Sequence, residues 1–199
     1  LERQTIQLGA SLLIPPEVMG AHIGPTRSHT TGRSHALAFR ALTALFGHLG
    51  IEWNLLELSE TELATLRSVV AVHRTHRALL HGGDVVRFDP VDNGDGPSGR
   101  AHGVYATDRS EALIAAVQLR AGASLVAPPL RLPGLDPEAT YAITEISLGG
   151  GRAPITPREL TGRQLAAHGL QLPLLSPESG LLLHLVRTID GASTERTTP

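Results

Sequence analysis

The feature that most constrains this chain is a change of pattern at Gly82-Gly83. Before it, helical spacing alternates with short apolar runs. After it, no helical period is sustained except over 158–168. The opening "LERQTIQLGASLL" (1–13) reads as a helix with Ile6, Leu8, Leu12 and Leu13 as its apolar positions. Pro15-Pro16 stops it, because proline lacks the amide donor and clashes with the preceding turn. Residues 17–23 ("EVMGAHI") read as a buried strand ending before Gly24-Pro25. From about Ser34, Leu37, Ala41, Ala44 and Leu45 recur at three- and four-residue spacing, which predicts a second helix closed by Gly47 to Gly50. "IEWNLLEL" predicts a second buried strand over 51–55.

Ser59-Glu60-Thr61-Glu62 has the form of a capping box, with Ser59 as N-cap and Glu62 reaching back. It opens a long helix that carries Leu63, Leu66, Val70 and His73 along one face. The order helix, strand, helix, strand, helix is that of parallel α/β architecture. The second half predicts short strands at 102–107, 111–119, 129–132, 140–146 and 181–187. Turns punctuate them, notably "NGDGPSG" (93–99) and Gly134-Leu135-Asp136-Pro137. This is the pattern of an antiparallel β domain over 84–190, followed by a polar tail, 191–199, expected to be disordered.

Composition narrows the function. A hydrophobic content of 41% supports a core, but aromatics are only 3%, so that core must be aliphatic. The net charge of −2, without long runs of either sign, argues against nucleic acid or a membrane surface as partner. No apolar run approaches the ~20 residues of a membrane span. Cysteine is absent, which excludes disulfides, thiolate metal sites and a cysteine nucleophile, and suits a reducing, cytoplasmic compartment. All 17 basic residues are arginine, which points to a GC-rich bacterial coding bias. The chain opens on Leu1 in what reads as a helix, so a fragment of something longer is expected.

The most distinctive stretch is "MGAHIGPTRSHTTGR" (19–33). His22, His29 and His35 fall close together there, but without the carboxylate or HExxH spacing of a zinc site. His73 and His76 are flanked by Arg74 and Arg77, whose charge disfavours a cation. No metal ligand is assigned. GxSxG is missing, and "GGGR" (149–152) is too short for a phosphate loop. The acidic residues form no convincing pair; Glu52, within a candidate strand, calls for a structural partner such as an arginine. If the two strands belong to a parallel α/β barrel, the loop 24–33 and Asn54 lie at the carboxyl ends, where barrel chemistry sits. There the loop either binds hydroxyls or a carboxylate, or bridges two barrel elements.

Several blocks, in order, resemble the family 36 α-galactosidases. They are "ERQTIQLGASLLIPPEVMGAHIGPTRSHTTGRSHALAFRALTALFGHLGIEWNL", "HRTHRALLHGGDVVRFDP", "DRSEALIAAVQL", "LRLPGLDPEATYAI" and "GLQLPLLSPESGLLLHLV". The resemblance covers roughly 1–187. It implies the last part of a catalytic (β/α)8 barrel over 1–83, followed by a small antiparallel β-sandwich domain. Residues 1–13 would be the helix after the sixth strand, 17–23 the seventh strand and 51–55 the eighth. The family are retaining enzymes, which need two carboxyl groups about 5–5.5 Å apart. By resemblance, both catalytic aspartates lie upstream of Leu1, so no catalytic residue is assigned here. His22, His29, Arg33 and Asn54 become the candidates for pocket-rim or supporting contacts to sugar. The position after Trp53 is often aspartate in the family; here it is Asn54. Ser28-His29 stands where other members have asparagine-histidine.

The implied function is removal of terminal α-galactosyl groups from oligosaccharides, without a cofactor, by an enzyme that is homo-oligomeric at full length. The chain alone is expected to be inactive. Alternatives are a non-catalytic carbohydrate-binding or structural β module, a galactosyltransferase, or an α-N-acetylgalactosaminidase. The β domain offers only Phe88, Tyr105 and Tyr141 as aromatic platforms, which disfavours sugar binding on its own. Two barrel strands alone would leave Ile14, Val18, Ile23, Ile51 and Trp53 uncovered.

Overall fold

The computed structural model describes residues 1–92, 97–122, 124, 126–149 and 153–188. The turn residues 93–96, most of "GGGR" and the polar tail lie outside them. Helix α1 (Glu2–Ala10) is followed by a 3₁₀ turn (Pro16–Val18) and strand β1 (Gly20–Ile23). Helix α2 (Leu37–Ala44), strand β2 (His48–Ile51) and a second 3₁₀ turn (Leu55–Glu57) come next. Helix α3 (Glu60–Gly82) closes the first half. Its capping box forms as expected, with the Ser59 hydroxyl accepting from the Glu62 amide and the Glu62 carboxylate accepting from the Ser59 amide. Strands β1 and β2 are parallel and in register from Gly20↔His48 to Ile23↔Ile51.

The eighth-strand assignment of 51–55 requires correction: the strand ends at Ile51. The strand instead begins at His48, where two glycines allow close packing on β1. A Cβ at position 47 would lie 2.7 Å from the Met19 carbonyl oxygen, and one at position 50 would lie 2.5 Å from the His22 ring. Only glycine lets β2 approach β1 so closely, although glycine reads as a strand breaker in sequence. The β-rich "WNLL" instead turns, because Asn54 accepts from the Leu56 amide and caps a 3₁₀ turn.

The second half comprises β3 (Asp84–Arg87), β4 (Val91–Asp92), β5 (Pro97–Tyr105), β6 (Glu111–Gln118), β7 (Thr140–Ile146), β8 (Arg158–Thr161), helix α4 (Gly162–Ala167) and β9 (Ser179–Arg187). They build one antiparallel sheet in the order β3-β5-β6-β9-β7-β8, with β4 added beside β5. The antiparallel β domain expected from the sequence is present, and its second layer is irregular chain and α4 instead of a facing sheet among the described residues. Residues 129–132 make only an isolated bridge, Leu130↔Leu170. The stretch 158–168 splits into β8 and α4, because a second capping box, Thr161 with Gln164, starts the helix only at Gly162.

Two apolar cores lie on the two faces of this sheet. Ala112, Ile114, Leu183 and Leu185 face Leu132, Leu135, Leu165 and Leu170. Leu113, Ala115, Val117 and Leu182 face the other way, into a core shared with Ile23, Phe39, Leu42, Leu45, Leu66, Val69 and Leu80. Central strand β6 is therefore buried on both sides, which explains its near-continuous apolar sequence "ALIAAV". On α3 the buried face runs through Leu66, Val69, Leu79 and Leu80, with Val69 in the place expected for Val70. Ile23 and Trp53, expected to be uncovered, are not: Ile23 is fully buried, and Trp53 is half-buried beneath the Arg40 guanidinium, 4.6 Å from its ring. No helix among the described residues is long and apolar enough to cross a membrane.

Candidate functional site

The carboxyl ends of β1 and β2 converge on two loops, 24–36 and 52–58. The first is a short hairpin: Arg27 bridges Ser34, the Ser28 amide donates to the Arg33 carbonyl (2.8 Å), and the Gly32 amide donates to the Ser28 carbonyl (2.8 Å). Gly32 has φ of +69°, a left-handed conformation that glycine adopts at little cost. The hairpin is held by Arg40 of α2. Its guanidinium donates to the Gly24 carbonyl, to the Thr26 hydroxyl (3.2 Å) and to the His35 carbonyl (3.1 Å), while stacking on Trp53. Burial pulls the Arg40 pKa below its ordinary value and Glu62 opposes the shift; an arginine so placed stays charged. One side chain thus ties both loops together.

The four candidate residues divide into two kinds. Arg33 and Asn54 are engaged. Arg33 donates to Glu2 at 2.6 Å, tying the hairpin to the start of α1. The Glu2 carboxyl is held down to about 2 by hydrogen bonding to backbone amide and to Arg33. Asn54 caps its turn and donates to Glu57 at 2.7 Å. His22 and His29 are exposed. The His22 ring lies over Gly50, with Nδ1 3.8 Å from Glu52, and its carbonyl accepts from Arg3 at 2.9 Å. Glu52, expected to need an arginine, has this histidine instead. His22, Glu52 and the hairpin tip are the part of the site that can meet a polar ligand.

Two further groups hold roles that sequence reasoning did not assign them. Arg40 gives no periodic signal, since it sits on an ordinary helix. His35 faces the β domain: its Nδ1 lies 2.9 Å from Glu178, whose φ of +58° marks the tight turn entering β9. A cavity of about 900 Å³ lies on the β sheet, lined by Phe88, Arg100, Arg131 and Leu172 among others; Phe88 is its only aromatic among the described residues. Away from both, His76, Glu111 and His184 come together. Arg74 and Arg77, close to His76 in sequence, are exposed on other faces of α3.

Comparison with known proteins agrees with this geometry. Residues 1–83 match the Melibiase family model, and residues 100–185 match the glycosyl hydrolase family 36 C-terminal domain. Both halves thus define a glycoside hydrolase region. An α-galactosidase of Escherichia coli is 40% identical over 95% of this chain and 28% of its own length. α-Galactosidase AgaA of Geobacillus stearothermophilus is 34% identical over 76% of this chain and 20% of its own. A family 36 AgaA structure in complex with raffinose superposes with a TM-score of 0.79 at 31% identity, covering 94% of this chain and 24% of that one. The chain belongs to glycoside hydrolase family 36. It spans about a quarter of the length of the relatives it matches.

Proposed function

We propose that this chain is the carboxyl-terminal part of an α-galactosidase, a retaining hydrolase of terminal α-galactosyl groups. On this reading residues 1–83 end the catalytic (β/α)8 barrel, 84–190 form its β domain, and 191–199 are a tail. The observation that carries it is the match of both halves, in order, to models of one family. The side-by-side parallel β1 and β2, each followed by a helix, suit the last two βα units of such a barrel. Two carboxylates near these loops are held within the fold, Glu2 by Arg33 and Glu57 by Asn54. By the family resemblance, the reacting aspartates are proposed to lie in the preceding part of the barrel. His22 and His29 would meet sugar hydroxyls at the rim, while Arg33 and Asn54 would hold the loops that present them.

Raffinose-type oligosaccharides are the proposed substrates, since AgaA structures include complexes with raffinose and stachyose. The whole enzyme is proposed to act in bacterial carbohydrate metabolism as a cytoplasmic homo-oligomer, a reading supported by its bacterial relatives and cysteine-free composition.

The test is a fusion. The upstream portion of the E. coli relative is joined to Leu1, and release of a chromophore from an α-galactoside is measured. The fusion should turn over and the 199-residue chain should not. Turnover by the chain alone would overturn the reading.

A further inference from the structure

The junction of α3 with the sheet holds a group of side chains that the glycosidase reading does not use. His76 projects from α3, Glu111 opens β6 and His184 lies in β9. Glu111 Oε1 is 3.2 Å from His76 Nδ1 and 2.7 Å from His184 Nε2, and the two imidazole rings meet edge to face at 4.8 Å. All three ligand atoms lie within 4.8 Å of one another. The sheet register explains half of this. Leu113 pairs with His184 and Glu111 with Val186, so Glu111 and His184 are diagonal neighbours on the face turned toward α3. The helix supplies the third group from above. His76 is mostly withdrawn from solvent, with 11% of its side chain exposed, and His184 keeps 21%.

We propose that His76, Glu111 and His184 bind one divalent transition-metal ion of the zinc class, as a clip between the last helix of the first half and the β sheet. Two imidazole nitrogens and one carboxylate oxygen are a donor set that zinc accepts, leaving a fourth position for water. Imidazole donors disfavour magnesium and calcium, which take oxygen ligands. Zinc bound at ~2.0–2.1 Å to each ligand puts tetrahedral ligand atoms about 3.3 Å apart. The two distances to Glu111, 2.7 and 3.2 Å, lie close to that value, and the two imidazole nitrogens are within 4.8 Å of each other. In the metal-free state the two ring N–H groups donate to one carboxylate oxygen; a cation would take the place of those two bridging protons. The three ligands come from segments 35 and 73 residues apart, so an ion here would cross-link otherwise separate elements. The inference stands apart from the α-galactosidase reading and survives its failure.

The experiment is a cobalt(II) titration of the chelator-treated chain, followed by zinc competition and thermal unfolding. A single equivalent of cobalt should give the visible bands of a tetrahedral site and be displaced by zinc. Zinc at a hundredfold excess over its dissociation constant should raise Tm by about 5–10 °C. Glu111→Gln, which keeps shape, and His184→Gln should each weaken binding at least about tenfold, with far-UV circular dichroism unchanged. His168→Ala, an exposed histidine of α4's end, should bind as the parent does. Absence of the cobalt bands in the folded parent chain overturns the proposal. So does binding that Glu111→Gln, His76→Gln and His184→Gln all leave intact, since one of the other histidines would then hold the ion.

Discussion

The two sheets of this molecule differ in what surrounds them. Strands β1 and β2 form a parallel pair of four residues each, and among the described residues neither has a second strand neighbour. Strand β6 has a neighbour on each edge and a core on each face. Parallel strands normally sit inside a covered sheet. Here large apolar side chains around β1 and β2 remain open, among them Ile6, Leu13 (89% exposed), Val18 and Leu56 (95%). The difference teaches that the chain holds one finished sheet and one unfinished one. It also teaches that the finished sheet is not independent. Leu113, Ala115, Val117 and Leu182 share their core with α2 and α3, so the β sheet needs the first half on one of its faces.

Substitutions can break or sharpen that contrast. The largest effect is expected from Leu113→Ala, fully buried on β6 against the helices. It should lose about 3–4 kcal/mol, read from urea unfolding. The same truncation at exposed Leu56 should change stability by less than about 0.5 kcal/mol. Equal losses at the two positions would erase the distinction. Next comes Tyr141→Phe. The hydroxyl of this buried residue donates to the Arg109 carbonyl (2.8 Å) and accepts from the Asp136 amide (3.1 Å), pinning two turns beside β7. Its removal leaves two polar groups unpaired and should cost about 1–3 kcal/mol.

A pH effect follows in size. His102 on β5 packs edge-on against Phe46 at 4.8 Å, and burial, with Arg87 adding to it, pulls its pKa down to about 4. The unfolded chain takes up a proton near pH 6.5 that the folded chain refuses. Stability should therefore be complete above about pH 6.5, fall as pH drops toward 4, and then level off. Because the residue keeps some exposure, about 2 kcal/mol is the expected loss, less than the full shift would give. Urea midpoints for the parent and His102→Gln check it; a slope unchanged in the variant would place the titration elsewhere. A small gain is expected from Gly9→Ala on α1, where a Cβ meets nothing within 4 Å. It should add about 0.5–1 kcal/mol of stability.

Much of this was readable from residue pattern. The capping box at Ser59, the strand 140–146 and the closing strand near 181–187 all stand close to where local signals put them. Those signals are short-range, made of hydrogen-bonding side chains and apolar runs. The start of β1, which begins at Gly20 after a 3₁₀ turn, and the course of β2 were harder. Gly47 and Gly50 look like helix stops, yet they are there because the backbone and His22 of β1 come within contact distance. That is a tertiary fact. The same holds for the candidate site. His22, His29, Arg33 and Asn54 were identified from their place after strands and from resemblance, but Arg40, which fastens both loops, carries no local mark. Nor could spacing find the group His76, Glu111 and His184, since its members meet only across the sheet register and one helix face.

Hydrogen exchange tests the unfinished half most directly. The His48 amide donates to the Met19 carbonyl just before β1 (2.8 Å) and the Glu52 amide to the Ile23 carbonyl at its end (3.0 Å), while the amides over 112–117 lie inside the completed sheet. In the 199-residue chain, His48 and Glu52 should exchange at least about a thousandfold faster than the β6 amides, because local opening there costs far less. Joining the upstream portion of the E. coli relative should slow them toward the β6 rate. Equal protection of both sets in the chain alone, unchanged by the fusion, would contradict the account.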